Sequence, residues 1–157
     1  MFLRGLSRTR PGLHMITTSQ LLFRPTLKSF MSTEVRKAIE DAVASAPVVL
    51  FMKGTPEFPQ CGFSRATIAM LGQQGVNPAK FAAYNVLEDP ELRDAIKEFS
   101  NWPTIPQLYV NKEFVGGCDV ITTMATSGEL ADVLEEADAL MPQQEEGKDS
   151  SQYSQFQ

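Results

Sequence analysis

The run "VVLFM" (residues 48–52) leads into "KGTPEFPQCGFSRATIAMLG" (residues 53–72), and this junction decides the fold. The first five residues are apolar with β-branched members, the pattern of a short buried strand. Gly54, Pro56 and Pro59 then rule out regular structure, so residues 53–60 are a loop. From Gly62 to Gln74 the spacing predicts a helix, with Ile68 and Leu71 facing inward. Cys61 thus falls between a strand and a helix N-terminus. The first N–H groups of a helix lack internal partners and its dipole adds partial positive charge, so both favour thiolate over thiol. Lys53, across the loop, adds a full positive charge. The fourth position of a C-x-x-C pair is here Ser64, so no second sulfur follows to resolve a mixed disulfide. A lone thiolate so placed can attack disulfides or ligate a metal; a cysteine can also be a small buried apolar residue.

Working outward, Val35, Ile39 and Val43 recur at helical spacing over residues 32–46, with Ser32 or Thr33 as the cap and Pro47 as the stop. "FAAYNV" (81–86) reads as a second strand. "DPELRDAIKEFS" (89–100) reads as a helix with Asp89 at the cap and Pro90 in the first turn, where its missing N–H costs little. "QLYV" (107–110) and "EFVGG" (113–117) form a hairpin across Asn111 and Lys112. Residues 119–140 are helical in two pieces, broken near Ser127 and Gly128. Two strands joined through a helix should be parallel by a right-handed crossover, and the last two are antiparallel. The expected fold is α/β: a four-stranded mixed sheet flanked by helices on both faces, in the thioredoxin-like arrangement.

Two further constellations stand out. In "NWPTIPQLYV" (101–110), Pro106 precedes a strand and is a candidate cis-proline, with an ordinary trans turn as the alternative. A cis bond there would present the backbone N–H and C=O of Ile105 beside Cys61, ready to pair with an extended peptide such as glutathione. In "GGCDV" (116–120), Gly116 and Gly117 permit close backbone approach to a ligand, and Asp119 is placed to cap a helix. Cys118 reads either as a small buried residue or as a partner for regulatory oxidation.

Bulk properties narrow the function classes. A chain of 157 residues suggests one domain. No apolar run reaches the roughly 20 residues of a spanning helix, so a soluble protein without a membrane partner is expected. Two cysteines are too few for a disulfide framework. A pI near 4.9 argues against a nucleic-acid partner. Residues 1–33 hold five basic residues and no acid, with many Ser and Thr, which is the composition of an organelle transit peptide, read here as mitochondrial rather than plastid. A disordered basic tail is the plainer alternative. The expected division is a cleaved leader over 1–32, a domain over 33–141, and a polar, acidic, disordered tail over 142–157. Residues 34–157 carry 19 acidic and 9 basic residues, a net charge of −10. The sole histidine, His14, lies in the leader, so the remainder has no Ser-His or Cys-His catalysis and no imidazole metal site.

"KGTP", "CGFS", "WPTIP" and "GGCD" occur together, in order. With them the chain closely resembles the monothiol (CGFS-type) glutaredoxins over about residues 33–140, and its leader makes it similar to their mitochondrial single-domain members. The resemblance implies a thioredoxin fold and a 2Fe-2S cluster ligated by glutathione at a homodimer interface. It further implies transfer of that cluster to acceptor apoproteins in the mitochondrial matrix, after receipt from a scaffold assisted by an Hsp70-type chaperone. Cys61 would be the thiol and the iron ligand. Lys53 would pair with the glycine carboxylate of glutathione, Ile105 beside Pro106 would supply backbone pairing, and Cys118 and Asp119 would hold the γ-glutamyl end. Arg93 and Lys97, one turn apart, would be further carboxylate partners or, more plainly, solvated charges. Phe63 and Trp102 are candidate apolar rims. The competing activity is a glutathione-dependent thiol oxidoreductase that deglutathionylates proteins through Cys61, with weak turnover expected.

Overall fold

A computed structural model describes residues 31–142; the expected leader up to residue 30 and the tail from residue 143 lie outside the described residues. Helix α1 (Thr33–Val43) is capped by Ser32, whose side chain accepts the Val35 N–H. It ends earlier than the predicted Ala46, because Pro47 disfavours helical backbone in the residue before it. Strand β1 (Val48–Met52) is buried along its whole length. Helix α2 (Gly62–Gln73) follows, then a 3-10 turn (Pro78–Lys80) and β2 (Phe81–Asn85). Asp89 caps α3 (Pro90–Ser100) by accepting from the N–H groups of Glu91 and Leu92. Strands β3 (Gln107–Val110) and β4 (Glu113–Gly116) form the expected hairpin, with Asn111 and Lys112 both at positive φ. Helix α4 (Cys118–Ser127) and helix α5 (Glu129–Glu136) are separated by Gly128.

The sheet order is β2-β1-β3-β4, with β1 parallel to β2 and antiparallel to β3. Alternation along β1 sends its side chains to two cores. Val48, Leu50 and Met52 pack with Leu71 of α2, Ile121 of α4 and Leu130 and Leu134 of α5. Val49 and Phe51 pack with Ile39 and Val43 of α1 and with Ala95 and Ile96 of α3. The expected mixed sheet with helices on both faces is the observed thioredoxin-like architecture. Among the described residues, no helix is long and apolar enough to cross a membrane.

Two details differ from expectation. The last helix stops at Glu136 rather than Leu140, because Asp138 turns to positive φ and the chain beyond it pairs elsewhere. There the Asn77 N–H donates to Ala139 O and the Met141 N–H to Gly75 O, both at 2.8 Å. On α2 the buried positions are Ser64, Thr67 and Leu71, with Ile68 only partly covered, so two hydroxyl side chains face inward.

Candidate functional site

The loop between β1 and α2 closes on itself. Gly54 adopts φ +88°, and a Cβ on it would stand 2.4 Å from Phe58 O, so only glycine fits. The Gln60 N–H donates to Lys53 O at 2.9 Å, bringing the residue before Cys61 back beside Lys53. The Gly54 N–H is held from the other side by Asn85 Oδ1 at 2.9 Å.

Cys61 is the N-cap of α2, and its sulfur accepts the Ser64 N–H at 3.3 Å. Sγ also lies 3.2 Å from Ser64 Oγ. Partial burial pushes the Cys61 thiol up. The Ser64 hydroxyl, the N–H groups of Ser64 and Phe63 and the charge of Lys53 together outweigh it, so the thiol lies below its ordinary pKa. Ser64 was legible only as the place of a missing sulfur. In the fold it is fully buried, and its Oγ also accepts the Lys53 N–H at 3.1 Å. One hydroxyl therefore links the end of the strand to the sulfur.

Beside this sulfur lies a groove of about 320 Å³. Its wall includes all seven residues that the resemblance assigned to glutathione: Lys53, Arg93, Lys97, Ile105, Pro106, Cys118 and Asp119. They arrive from four places: the end of β1, one face of α3, the loop before β3, and the start of α4. Cys61 is not itself among the lining residues; Lys53, whose charge acts on its thiol, and Phe63, whose N–H does so too, are. The Ile105–Pro106 bond is cis. Lys97 reaches Asp94 at 3.4 Å, whereas Lys53 and Arg93 have no ion-pair partner among the described residues. Trp102 and Phe63, the candidate apolar rims, both line the groove, and Phe63 is 63% exposed.

Gly117 lines the groove, and the glycine pair also serves internal packing. A Cβ on Gly117 would meet Trp102 Nε1 at 2.8 Å, and one on Gly116 would meet Val120 Cβ at 2.6 Å. Both glycines make room for the protein's own side chains. Asp119 is not the cap: Gly117 holds that position without a side-chain bond, and Asp119 is exposed within the first turn. Helix α4 begins one residue earlier than the sequence suggested, so the carboxylate faces the positive end of the dipole instead of bonding as a cap. Cys61 and Cys118 are both free thiols, each half-buried. Among the described residues no three His, Cys, Asp or Glu side chains converge on a metal site.

Comparison with known proteins agrees with this geometry. The Glutaredoxin family model matches residues 48–115. The chain is 76% identical over 131 residues to "Monothiol glutaredoxin-5, mitochondrial" of Saccharomyces cerevisiae, covering 83% of this chain and 87% of that protein. It is 48% identical over 120 residues to "Glutaredoxin-related protein 5, mitochondrial" of Danio rerio, covering 74% of this chain and 76% of that one. Among solved structures, reduced poplar apo GrxS14 superposes with a TM-score of 0.58 at 44% identity, covering 66% of this chain and 93% of that one. The chain belongs to the monothiol glutaredoxins, and among them to the mitochondrial members.

Proposed function

We propose that this chain holds glutathione in the groove beside Cys61 and, as a homodimer, carries a glutathione-ligated 2Fe-2S cluster to acceptor apoproteins in the mitochondrial matrix. The observation that carries this reading is the convergence of Lys53, Arg93, Lys97 and the Ile105–Pro106 loop on one groove next to a thiolate-favouring cysteine. Glutathione is a short anionic peptide, and the groove offers cations for carboxylates and backbone for pairing. Cys118 and Asp119 receive its γ-glutamyl end. A 2Fe-2S cluster takes four thiolate ligands. One chain offers Cys61 at the site, so two copies supply two sulfurs and two glutathiones supply the others. The cluster is cargo, held half by exchangeable small molecules, which suits transfer. Loading by a scaffold and an Hsp70-type chaperone fits the same role.

The lowered thiol favours a second reading, deglutathionylation. The Cys61 thiolate would attack the glutathione sulfur of a protein mixed disulfide and release the protein thiolate. A second glutathione thiolate would then attack that bond, leaving oxidised glutathione and free Cys61. Ser64 cannot intercept the intermediate.

Anaerobic reconstitution of residues 33–157 with iron, sulfide and glutathione separates the two. The carrier reading expects a coloured dimer with one cluster and two glutathiones by native mass, absent in Cys61→Ser and retained in Cys118→Ser. A colourless monomer with robust turnover in a glutaredoxin assay would instead establish the oxidoreductase. Loss of the cluster in Cys118→Ser would move the ligand assignment.

A further inference from the structure

We infer that Gln107 is the positioning residue that aims the Ile105 amide into the groove, and so sets the affinity of the site for an extended peptide; this rests on the glutathione reading above. Gln107 opens β3, a strand that is otherwise Leu, Tyr and Val, and its side chain is fully buried. An apolar residue would fill that place without a desolvation cost. What the amide gains there is a grip on the loop. Its Nε2 donates to Trp102 O at 3.0 Å and to Thr104 O at 3.2 Å, and the Tyr109 hydroxyl donates to its Oε1 at 3.4 Å. Both amide hydrogens and the carbonyl are thus used, as a buried amide requires.

The geometry of the peptide unit carries the argument. Thr104 C=O and Ile105 N–H belong to one planar trans unit and point in opposite directions. Gln107 holds the oxygen edge from beneath, so the N–H edge is turned away from it, on the side where Ile105 lines the groove. Neither backbone group of Ile105 takes part in the turn and loop hydrogen bonds among the described residues, so this N–H is free for a ligand. The second grip ties the same loop to the cationic helix. The Trp102 N–H donates to Lys97 O at 3.0 Å, while Trp102 O accepts from Gln107. Gln107 therefore fixes the pairing edge and the Arg93–Lys97 face relative to one another.

The test compares Gln107→Met, close in shape but without donors, with Tyr109→Phe, which only frees Oε1. Two quantities are read: backbone ¹⁵N order parameters of residues 102–105 in the ligand-free protein, and glutathione affinity by calorimetry. In Gln107→Met the loop should fall from about 0.85 toward about 0.6 in order parameter, and glutathione should bind about tenfold more weakly. The pH midpoint of Cys61 alkylation should stay unchanged, which a general loss of structure would not allow. Tyr109→Phe, a milder change in case the first variant folds poorly, should weaken binding about two- to threefold. An ordered loop and wild-type affinity in both variants would overturn the inference. Should the wild-type protein bind no glutathione, the glutathione reading falls, and the ligand-free order parameters still decide whether Gln107 positions the loop.

Discussion

Ser64 is one hydroxyl with two obligations, toward the Lys53 N–H and toward the Cys61 sulfur. Ser64→Ala removes a donor that favours the thiolate, so the thiol should titrate at higher pH. An iodoacetamide rate profile would then shift toward alkali relative to wild type. The same change leaves the part-buried Lys53 N–H without its partner, a loss of about 1 kcal/mol in denaturant unfolding. Ser64→Cys places a second sulfur where Oγ now lies 3.2 Å from Sγ, so a disulfide between positions 61 and 64 should form and thiol–disulfide exchange should quicken. No change in exchange rate would mean that geometry, not the missing sulfur, limits the chemistry. Cys61 and its helix terminus were legible from local pattern, because both causes lie within a few residues. The bond from Lys53 to Ser64 spans eleven positions and depends on how the loop closes, which no local pattern encodes.

At the scale of elements, α4 begins where the chain passes Trp102. A Cβ on Gly117 would stand 2.8 Å from Nε1 and 3.5 Å from Pro106 O. The backbone of Gly117, at φ −92°, suits any residue, so the requirement is purely one of space. Gly117→Ala should displace the indole and cost about 1–3 kcal/mol by overpacking. Trp102 is the sole tryptophan, so a shifted emission maximum would report the movement directly, with weaker glutathione binding beside it. An unchanged spectrum would show that the site relaxes elsewhere. Element boundaries were legible where a cap or a proline sets them, as at Ser32 and Asp89. They were not legible at residues 137–141, where pairing with Gly75 and Asn77, distant in sequence, overrides the helical pattern. Likewise, "GGCD" announced close approach without saying that Trp102 and Val120 do the approaching.

Across the whole molecule, the sheet divides two apolar cores, and Tyr109 lies within one of them. Burial pushes its hydroxyl up to about 12. The unfolded chain gives up this proton first, near the ordinary tyrosine value of about 10. Stability from this group is therefore complete below that pH and is lost as pH rises toward about 12. Unfolding followed across this window should show a decline that Tyr109→Phe flattens. The strand order was legible as a mixed sheet, since crossover handedness and hairpin length leave few alternatives, but neither prescribes that β1 lies in the middle. That central place has a consequence for how the protein is made. β1 is the first strand to emerge from a ribosome or a translocation pore, and every later strand joins a free edge of what already stands. No strand must be threaded between two others. Until β3 arrives, however, "VVLFM" is an apolar ribbon with one flank open, so the order of synthesis, rather than the finished fold, sets how long that edge stays unpaired.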